Sequence, residues 1–232
     1  LSAKAIAFER DRVTGVVTDE GFIPAGAVIS TVPWDRLSKL CSETLRAADR
    51  RLQRLDALRP SPILGVHLFF AEPIMQTPHL VLPGRATQWL FNKGVDESGR
   101  AHLHAVISAA DAWMELDERE IARRVLADIR WAYPGSGSLE PLEVRSVKEK
   151  RATFACEAGV DAFRPGGTPD FVGIGAGCRN LFIAGDWCRT GWPATMEGAV
   201  RSGYHTAQAI TGSGGVIADL PIGRLVRWLG LR

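Results

Sequence analysis

The stretch LFIAGDWCRTGWPATMEGAVRSG, Leu181–Gly203, decides the fold of this chain. It starts with a continuous apolar run that ends at Gly185, a pattern typical of a strand buried on both faces of a parallel sheet. Asp186 follows at the carboxyl end of that strand. Open α/β sheets bind ligands at this edge, where a carboxylate accepts hydrogen bonds from ligand hydroxyls. A structural role for Asp186, as the cap of a turn, is an equally good interpretation from sequence alone.

A tight turn and a helix follow the strand. Gly191 and Pro193 bracket the turn, and the residue pattern becomes helical from Ala194. The spacing predicts one apolar face, which consists of Met196, Ala199, Val200, Gly203, Ala207 and Ile210.

The start of this helix is a candidate ligand contact. The first N–H groups of a helix have no partner within it, so the backbone of Ala194, Thr195 and Met196 can donate to an electron-rich ligand atom. Gly198 and Gly203 lie inside the helix, where each costs about 1 kcal/mol relative to alanine. We therefore expect a close approach to the helix at these glycines.

Composition excludes several classes of protein. The chain has 232 residues, of which 46% are hydrophobic, so it can form one large or two small domains. Its 28 basic and 26 acidic residues nearly cancel, which argues against a nucleic-acid partner. The four cysteines have no C-x-x-C spacing, so neither a metal site nor a disulfide framework is expected. No signal peptide and no membrane-spanning run is visible, and we expect a cytoplasmic location.

The order of elements predicts a mixed α/β (α+β) fold in which a first domain is left and later re-entered. Residues 1–33 read as a β-meander that ends in a buried strand, and 34–150 as helices around a sheet. Residues 151–211 return through a strand, a loop and the opening stretch, and 212–232 form a basic amphipathic tail. Because the chain begins at Leu1 with a strand pattern, we expect it to be a fragment.

The middle region contains one long predicted helix from Trp34, with apolar residues recurring as far as Leu55. A second helix is predicted to start at Asp117, where Glu120 three residues later forms a capping-box-like pair. Four strands are predicted in this region: ILGVHLFF, ATQWLFNK, AHLHAVISAA and LEVRSVKEKRATF.

Histidines are the candidate chemical groups of these strands. His102 and His104 point to the same face of a strand, but no third ligand has a recognisable spacing, so we predict no metal. His67 fits either a substrate cavity or a hydrogen-bonded core position. No nucleophile elbow is visible, and no catalytic residue is assigned.

The segment AGDWCRTGWPATMEGAVRSG resembles the C-terminal flavin-binding signature of the FAD-dependent amine oxidase and phytoene desaturase superfamily. Together with VKEKRATFAC, SPILGVHLFF and QWLFNK, it is most similar to the hydroxysqualene dehydroxylases, also called squalene-associated FAD-dependent desaturases. The resemblance implies part of a two-domain FAD/NAD(P)-binding oxidoreductase fold. Residues 1–33 and 151–211 would belong to the FAD domain, and 34–150 to the substrate domain.

The resemblance also implies residue roles. Asp186 would hydrogen-bond the ribityl or pyrophosphate region of FAD, and the backbone of Thr195 and Met196 would meet the pyrimidine edge of the ring, where the positive helix end favours negative charge. The implied cofactor-binding set is Gly185, Asp186, Trp187, Trp192, Pro193, Ala194, Thr195, Met196, Val32 and Pro33.

One element of the resemblance is missing. The N-terminal dinucleotide-binding βαβ unit, with its G-x-G-x-x-G fingerprint, is absent, because GIGAG at 173–177 leads into a strand rather than a helix. We therefore expect a missing N-terminal half of the same enzyme as a partner, and poor FAD binding without it.

The implied reaction is reductive dehydroxylation of hydroxysqualene to squalene, in hopanoid or squalene biosynthesis. An apolar isoprenoid substrate needs an apolar tunnel, for which the candidates are His67, Phe69, Phe70, Trp89 and Phe91. Two alternatives remain open: a sister activity, carotenoid desaturation or amine oxidation, and a non-catalytic truncated module without flavin.

The tail is consistent with either of two positions. It is suited to peripheral contact with the inner membrane surface, and equally to docking on its own domain.

Overall fold

The computed structural model describes residues 1–169, 177–221, 223–228 and 230. The strands are β1 (Ala3–Glu9), β2 (Arg12–Thr18), β3 (Gly21–Pro24), β4 (Val28–Ser30), β5 (Pro60–Phe70), β6 (His79–Val81), β7 (Trp89–Val95), β8 (Ala101–Ser108), β9 (Glu143–Phe154) and β10 (Leu181–Ile183). The α-helices are α1 (Trp34–Leu40), α2 (Glu43–Ala48), α3 (Glu118–Ala132), α4 (Met196–Thr211) and α5 (Arg224–Trp228). This content confirms the mixed α/β fold class.

The chain divides into two compact units. The first combines Leu1–Leu58 with Ala158–Arg232, and the second is Arg59–Glu157. These limits differ from the sequence-based boundaries after Pro33 and before Arg151. Residues 34–58 fold with the chain ends, not with the intervening sheet.

The first unit begins with the antiparallel meander that the alternating pattern predicts. The strand order is β1-β2-β3, with Phe8 opposite Val13 and Val16 opposite Ile23. Ile6 and Val13 face inward and are buried. The alternation of apolar and polar residues therefore sets which face of the meander is covered.

The single long helix predicted from Trp34 is wrong. The segment consists of α1, α2 and two short 3-10 turns at Arg50–Leu52 and Leu55–Ala57. Ser42 ends the continuity because its hydroxyl accepts from the Leu45 N–H as the cap of a new helix. The Asp49 carboxylate likewise accepts from the Arg51 N–H and caps the first 3-10 turn. Helical apolar spacing persists across these caps, although the backbone is extended at both of them.

A buried ion pair explains why residues 34–58 belong to the first unit. Arg51 donates to both oxygens of Asp49, and its Nη2 also donates to the Leu181 carbonyl at 2.8 Å. The Asp49 carboxylate accepts from the Cys178 N–H at 3.0 Å. Both side chains of the pair are completely buried. The pair thus ties the helical segment directly to the start of β10.

β10 and β4 form a parallel pair, with Leu181 opposite Val28. All three residues of β10 are buried, as the apolar run predicts. The Asn180 side chain joins this pair to the meander, because its amide accepts from Val13 N and donates to Val13 O and Gly26 O. The opening stretch therefore starts in the centre of the first unit.

The second unit is a five-stranded antiparallel sheet in the order β6-β7-β8-β5-β9. It includes the short strand β6, which the sequence analysis did not predict. Every second residue of β5 is buried, and α3 packs against that face through Ile121, Val125 and Ile129. Phe70 lies in this core at 1% exposure, so it is not a tunnel residue.

The α3 helix starts where the sequence predicts, but its cap is only half a capping box. The Asp117 carboxylate accepts from the Glu120 N–H at 2.8 Å. The Glu120 side chain pairs with Arg123 and Arg124 instead of reaching back, and these hydrogen bonds lower its pKa to about 2.

Candidate functional site

The strand end at Gly185 is the centre of the first candidate site. A Cβ atom at this position would lie 2.5 Å from Nε1 of Trp187, so only glycine fits beside the indole. Trp187 is 1% exposed, and its ring supports Gly185 from inside the unit. The structure therefore places Trp187, a member of the implied cofactor-binding set, beneath the strand end.

Arg164 fixes the backbone that follows Gly185. Its Nη2 donates to the Asp186 carbonyl at 3.0 Å and to the Cys188 carbonyl at 2.6 Å. Its Nη1 pairs with Asp161 at 2.9 Å. The sequence analysis did not assign Arg164 a role. An Arg-Pro-Gly-Gly stretch before the flavin signature was the available signal, but the contact requires the tertiary fold.

The helix α4 begins at the turn that the sequence predicts. Thr195 caps it, since its hydroxyl accepts from the Gly198 N–H at 3.1 Å. Met196 is the first helical residue and its side chain is 89% exposed. The first N–H groups of the helix therefore lie next to a bare surface, as a ligand-binding helix end requires.

The predicted apolar face of α4 is not the buried face. The helix buries Gly198, Ser202 and Thr206, whereas Val200 and Ile210 are exposed. Ser202 accepts from the Gly185 N–H at 2.8 Å, and Thr206 donates to the Ile183 carbonyl. Small hydroxyl side chains dock the helix because they satisfy the backbone at the end of β10.

The two glycines of α4 have different surroundings. A Cβ atom on Gly198 would lie 2.8 Å from the Pro193 carbonyl, in agreement with the predicted close approach. One on Gly203 would meet nothing within 4 Å among the described residues. Gly203 therefore belongs to the exposed side of the helix.

The remaining predicted flavin residues surround this strand-turn-helix. Asp186 is half-buried directly after Gly185. Trp192 donates through Nε1 to Asp219 and is covered by the Arg201 guanidinium, 4.8 Å from its ring centre. Val32 and Pro33 follow the end of β4, where Pro33 precedes the first turn of α1.

Two observations fit these residues to a flavin. Ser30 Oγ and Trp187 Nε1 are buried polar atoms without a hydrogen-bond partner in the described structure, and both belong to the carboxyl end of the parallel pair or the residues after it. The Asp186 carboxylate adds an acceptor, and the exposed helix start at Met196 adds backbone donors. Such a set suits a ligand that carries both a hydroxylated chain and an aromatic ring.

A cavity of about 370 Å³ is lined in part by the loop after Asp186. Its lining includes Thr168, Cys188, Ser202 and His205, but none of the predicted flavin residues. Burial raises the pKa of Cys188 to about 12, so this thiol stays protonated at neutral pH. We assign no ligand to this cavity.

The second candidate site is the face of the five-stranded sheet opposite α3. The strand register aligns His79, Phe91, His104, His67 and Arg145 as one transverse row. Trp89 and Phe69 occupy the neighbouring rows. The structure therefore brings His67, Phe69, Trp89 and Phe91 onto one face, which we call the aromatic face.

Three histidines form a packed cluster on the aromatic face. His67 Nδ1 and His102 Nε2 share a hydrogen bond of 2.9 Å. His104 stacks on His67 with ring centres 4.2 Å apart and planes 5° apart. Phe69 stacks on His102 at 4.5 Å. His67 is half-buried and hydrogen-bonded at the centre of the cluster.

Burial is the main cause of the low basicity of these rings. Desolvation, together with the charge of Lys93, lowers the pKa of all three histidines, that of His104 to about 4. The cluster is therefore neutral at pH 7. Among the residues that the structure describes, no group of three or more His, Cys, Asp or Glu side chains is arranged to hold a metal ion.

Gly65 makes room for this arrangement. A Cβ atom on Gly65 would lie 2.8 Å from Nε2 of His104. The sequence pattern places His102 and His104 on one face of a strand, but it gives no sign that His104 stacks on His67 over this glycine. A glycine inside a strand pattern was the available signal, because it often marks a close approach.

Comparisons with known proteins agree on one family. The sequence profile described as "Flavin containing amine oxidoreductase" matches residues 3–211. A hydroxysqualene dehydroxylase from Sinorhizobium fredii is 36% identical over 62% of this chain and 31% of its own length. A 15-cis-phytoene desaturase from Synechococcus elongatus is 27% identical over 86% of this chain and 43% of its own. The chain thus spans about a third to under a half of these relatives.

Solved structures show the same fold at lower identity. Reduced UDP-galactopyranose mutase superimposes with a TM-score of 0.65 at 12% identity, over 100% of this chain and 50% of its own. Putrescine oxidase superimposes with a TM-score of 0.64 at 19% identity, over 91% of this chain and 48% of its own. The profile match covers most of the chain and both units, so the chain belongs to the family of flavin-containing amine oxidoreductases, which are FAD-dependent oxidoreductases.

Proposed function

We propose that this chain is part of an FAD-dependent oxidoreductase that removes the hydroxyl group of hydroxysqualene to give squalene, in the hopanoid or squalene pathway. The observation that carries the proposal is the aromatic face: Phe69, Trp89 and Phe91 beside a neutral cluster of three histidines on one side of the sheet. The similarity to hydroxysqualene dehydroxylases supports the same substrate.

The aromatic face suits a long unsaturated hydrocarbon. Trp89 and Phe91 are stacked with ring centres 5.8 Å apart, and Trp89 is 38% exposed. Val106, opposite Trp89 on β8, extends the apolar surface. Covering such side chains with an isoprenoid removes apolar area from water, which stabilises the complex by about 25 cal/mol per Å².

Flavin binding is proposed for the strand-turn-helix around Asp186. When bound, FAD supplies two-electron transfer with the carbon substrate. The Asp186 carboxylate would accept hydrogen bonds from the hydroxylated chain of the cofactor, and the α4 start at Thr195 and Met196 would donate to its ring. Gly185 allows the Trp187 indole to pack beneath the strand end, and Val32, Pro33, Trp192, Pro193 and Ala194 would complete the surroundings.

The Asp186→Ala variant tests this assignment. In the enzyme that combines this chain with the expected N-terminal half, we expect at least a tenfold loss of FAD affinity, measured by flavin absorbance and fluorescence after titration. Asp56→Asn, which alters an exposed carboxylate of the same unit, is the control and should leave the affinity unchanged. An Asp186→Ala protein with unaltered affinity would remove Asp186 from the site.

Substrate class is tested by anaerobic turnover. The enzyme that combines this chain with the expected N-terminal half, loaded with FAD and supplied with a chemical reductant, should convert hydroxysqualene to squalene. It should leave phytoene and putrescine unchanged. Turnover of putrescine alone would contradict the polyprenoid class.

Phytoene-type desaturation is the second candidate. It is favoured by the greater extent of similarity, since the phytoene desaturase match covers 86% of this chain. Conversion of phytoene with an added oxidant, without loss of hydroxyl from hydroxysqualene, would decide for this candidate.

We also propose that the tail contacts a membrane surface. Among the described residues, no helix has the length and apolar character needed to cross a bilayer. Ile217, Leu220 and Trp228 are 88%, 91% and 81% exposed, and Arg227 accompanies them. Deletion after Gly215 should reduce co-sedimentation with anionic liposomes. Equal co-sedimentation of the truncated and intact chains would refute membrane contact by the tail.

A further inference from the structure

The polar groups of the aromatic face need an explanation beyond hydrocarbon binding. His67, His102 and His104 occupy adjoining positions on β5 and β8, between Phe69 and Phe91. A hydrocarbon that covers these rings would desolvate their nitrogen atoms without replacing any hydrogen bond, which is unfavourable. The cluster therefore points to a polar group on the ligand.

The hydrogen bond between His67 and His102 determines what this pair offers to a ligand. It uses Nδ1 of His67 and Nε2 of His102, which leaves Nε2 of His67 and Nδ1 of His102 without a partner among the described residues. A neutral imidazole carries one N–H and one acceptor nitrogen. Whichever ring donates the internal hydrogen bond, the pair is left with one donor nitrogen and one acceptor nitrogen. A hydroxyl group, which both donates and accepts, matches this combination.

The surroundings keep the pair neutral. Burial is the largest cause that lowers the pKa of His67, and Lys93 and Arg145 lower it further. Burial also lowers the pKa of His102 most, followed by the neighbouring His67 and Lys93, whereas Asp96 acts in the opposite direction. Protonated rings would offer donors only, and the match to a hydroxyl would be lost.

We propose that the His67–His102 pair binds the hydroxyl group of a polyprenoid alcohol, and that the face thereby selects hydroxylated over hydrocarbon polyprenoids. His104, stacked on His67 at 4.2 Å, is a positioning residue for the pair. The inference rests on the proposed function, from which it takes the polyprenoid class of the ligand.

The test compares two ligands on the full 232-residue chain. Radiolabelled hydroxysqualene and squalene are offered in detergent micelles, and their dissociation constants are measured by equilibrium gel filtration. We expect hydroxysqualene to bind about tenfold more tightly, equivalent to about 1.4 kcal/mol. His67→Phe and His102→Phe should each bring the ratio close to one, while the affinity for squalene stays the same. Phe91→Leu, the control, should weaken both ligands equally.

A second measurement covers the case in which a variant does not fold. In the unaltered chain, hydroxysqualene should shift the ¹⁵N resonances of His67 and His102, and squalene should not. Gly65→Ala, which crowds Nε2 of His104, should reduce the preference for hydroxysqualene without removing any imidazole.

The possible outcomes separate the inference from the proposed function. Equal affinity for the two ligands in the unaltered chain, with Phe91→Leu weakening both, would overturn the inference and leave the polyprenoid class standing. A preference that survives both histidine variants would also overturn it. Absence of binding by either ligand would overturn both proposals.

Discussion

Arg51 and Asp49 are the residues on which the first unit depends most. Both side chains are fully buried, and together they hold the Cys178 N–H and the Leu181 carbonyl. Arg51→Met would leave an unpaired carboxylate in the interior, so we expect the free energy of unfolding to fall by about 3–5 kcal/mol. Urea denaturation measures the change.

The matched control is the exposed ion pair between Arg46 and Asp56. Arg46 Nη1 and Asp56 Oδ2 are 3.5 Å apart, and the side chains of Arg46 and Asp56 are 35% and 75% exposed, respectively. Arg46→Met should change stability by less than about 1 kcal/mol. Similar effects of the two substitutions would contradict a special role for the buried pair.

His104 makes stability depend on pH. Burial lowers its pKa from 6.5 to about 4 in the folded chain, so the unfolded chain binds the proton more readily. Its contribution to stability is therefore fully present above pH 6.5 and is lost as the pH falls towards 4. His67 and His102 act in the same direction. Chemical denaturation at pH 7 and pH 4.5 should show a smaller decrease in stability for His104→Phe than for the unaltered chain. An identical decrease would show that His104 does not carry this pH dependence.

At the scale of elements, α4 combines a buried polar face with an exposed apolar one. Gly203 has free space around it, so Gly203→Ala should stabilise the chain by about 0.5–1 kcal/mol through helix propensity alone. Gly198→Ala should destabilise it by about 1–3 kcal/mol, because the added methyl group would meet the Pro193 carbonyl at 2.8 Å. Thermal unfolding measures both changes: the melting temperature should rise for Gly203→Ala and fall for Gly198→Ala. A destabilising Gly203→Ala would mean that this side of the helix is covered.

The same helix shows where sequence periodicity fails. Met196, Val200 and Ile210 have the spacing of a core face, yet Ser202 and Thr206 dock the helix through hydrogen bonds to the backbone around β10. The spacing of apolar residues indicates which side chains favour burial. It contains no information about the backbone groups of a neighbouring strand that need hydrogen-bond partners from the helix. By contrast, β10 was predictable, because a strand that is buried on both faces has no polar side to obscure its pattern.

At the scale of the whole molecule, the features that the sequence predicts arise from local patterns. The features that it does not predict depend on contacts between residues distant in sequence. The strand-turn-helix after Leu181 follows from local signals: an apolar run, glycine, proline and a threonine cap. The assignment of residues 34–58 to the first unit depends on Arg51 reaching Leu181, 130 positions away. The histidine cluster depends on the register between β5 and β8, which places His67 opposite His104. Single-strand patterns identify the exposed face of each strand but not which strands are neighbours.

The central claim is that the aromatic face binds a polyprenoid, and photoaffinity labelling tests it most directly. A benzophenone-bearing polyprenoid alcohol is cross-linked to the 232-residue chain, and the labelled peptides are identified by mass spectrometry. We predict labels on β5, β7 and β8, around His67, Phe91 and His104, with competition by unlabelled hydroxysqualene. Labels confined to α4 or to the tail, with none on these three strands, would contradict the claim.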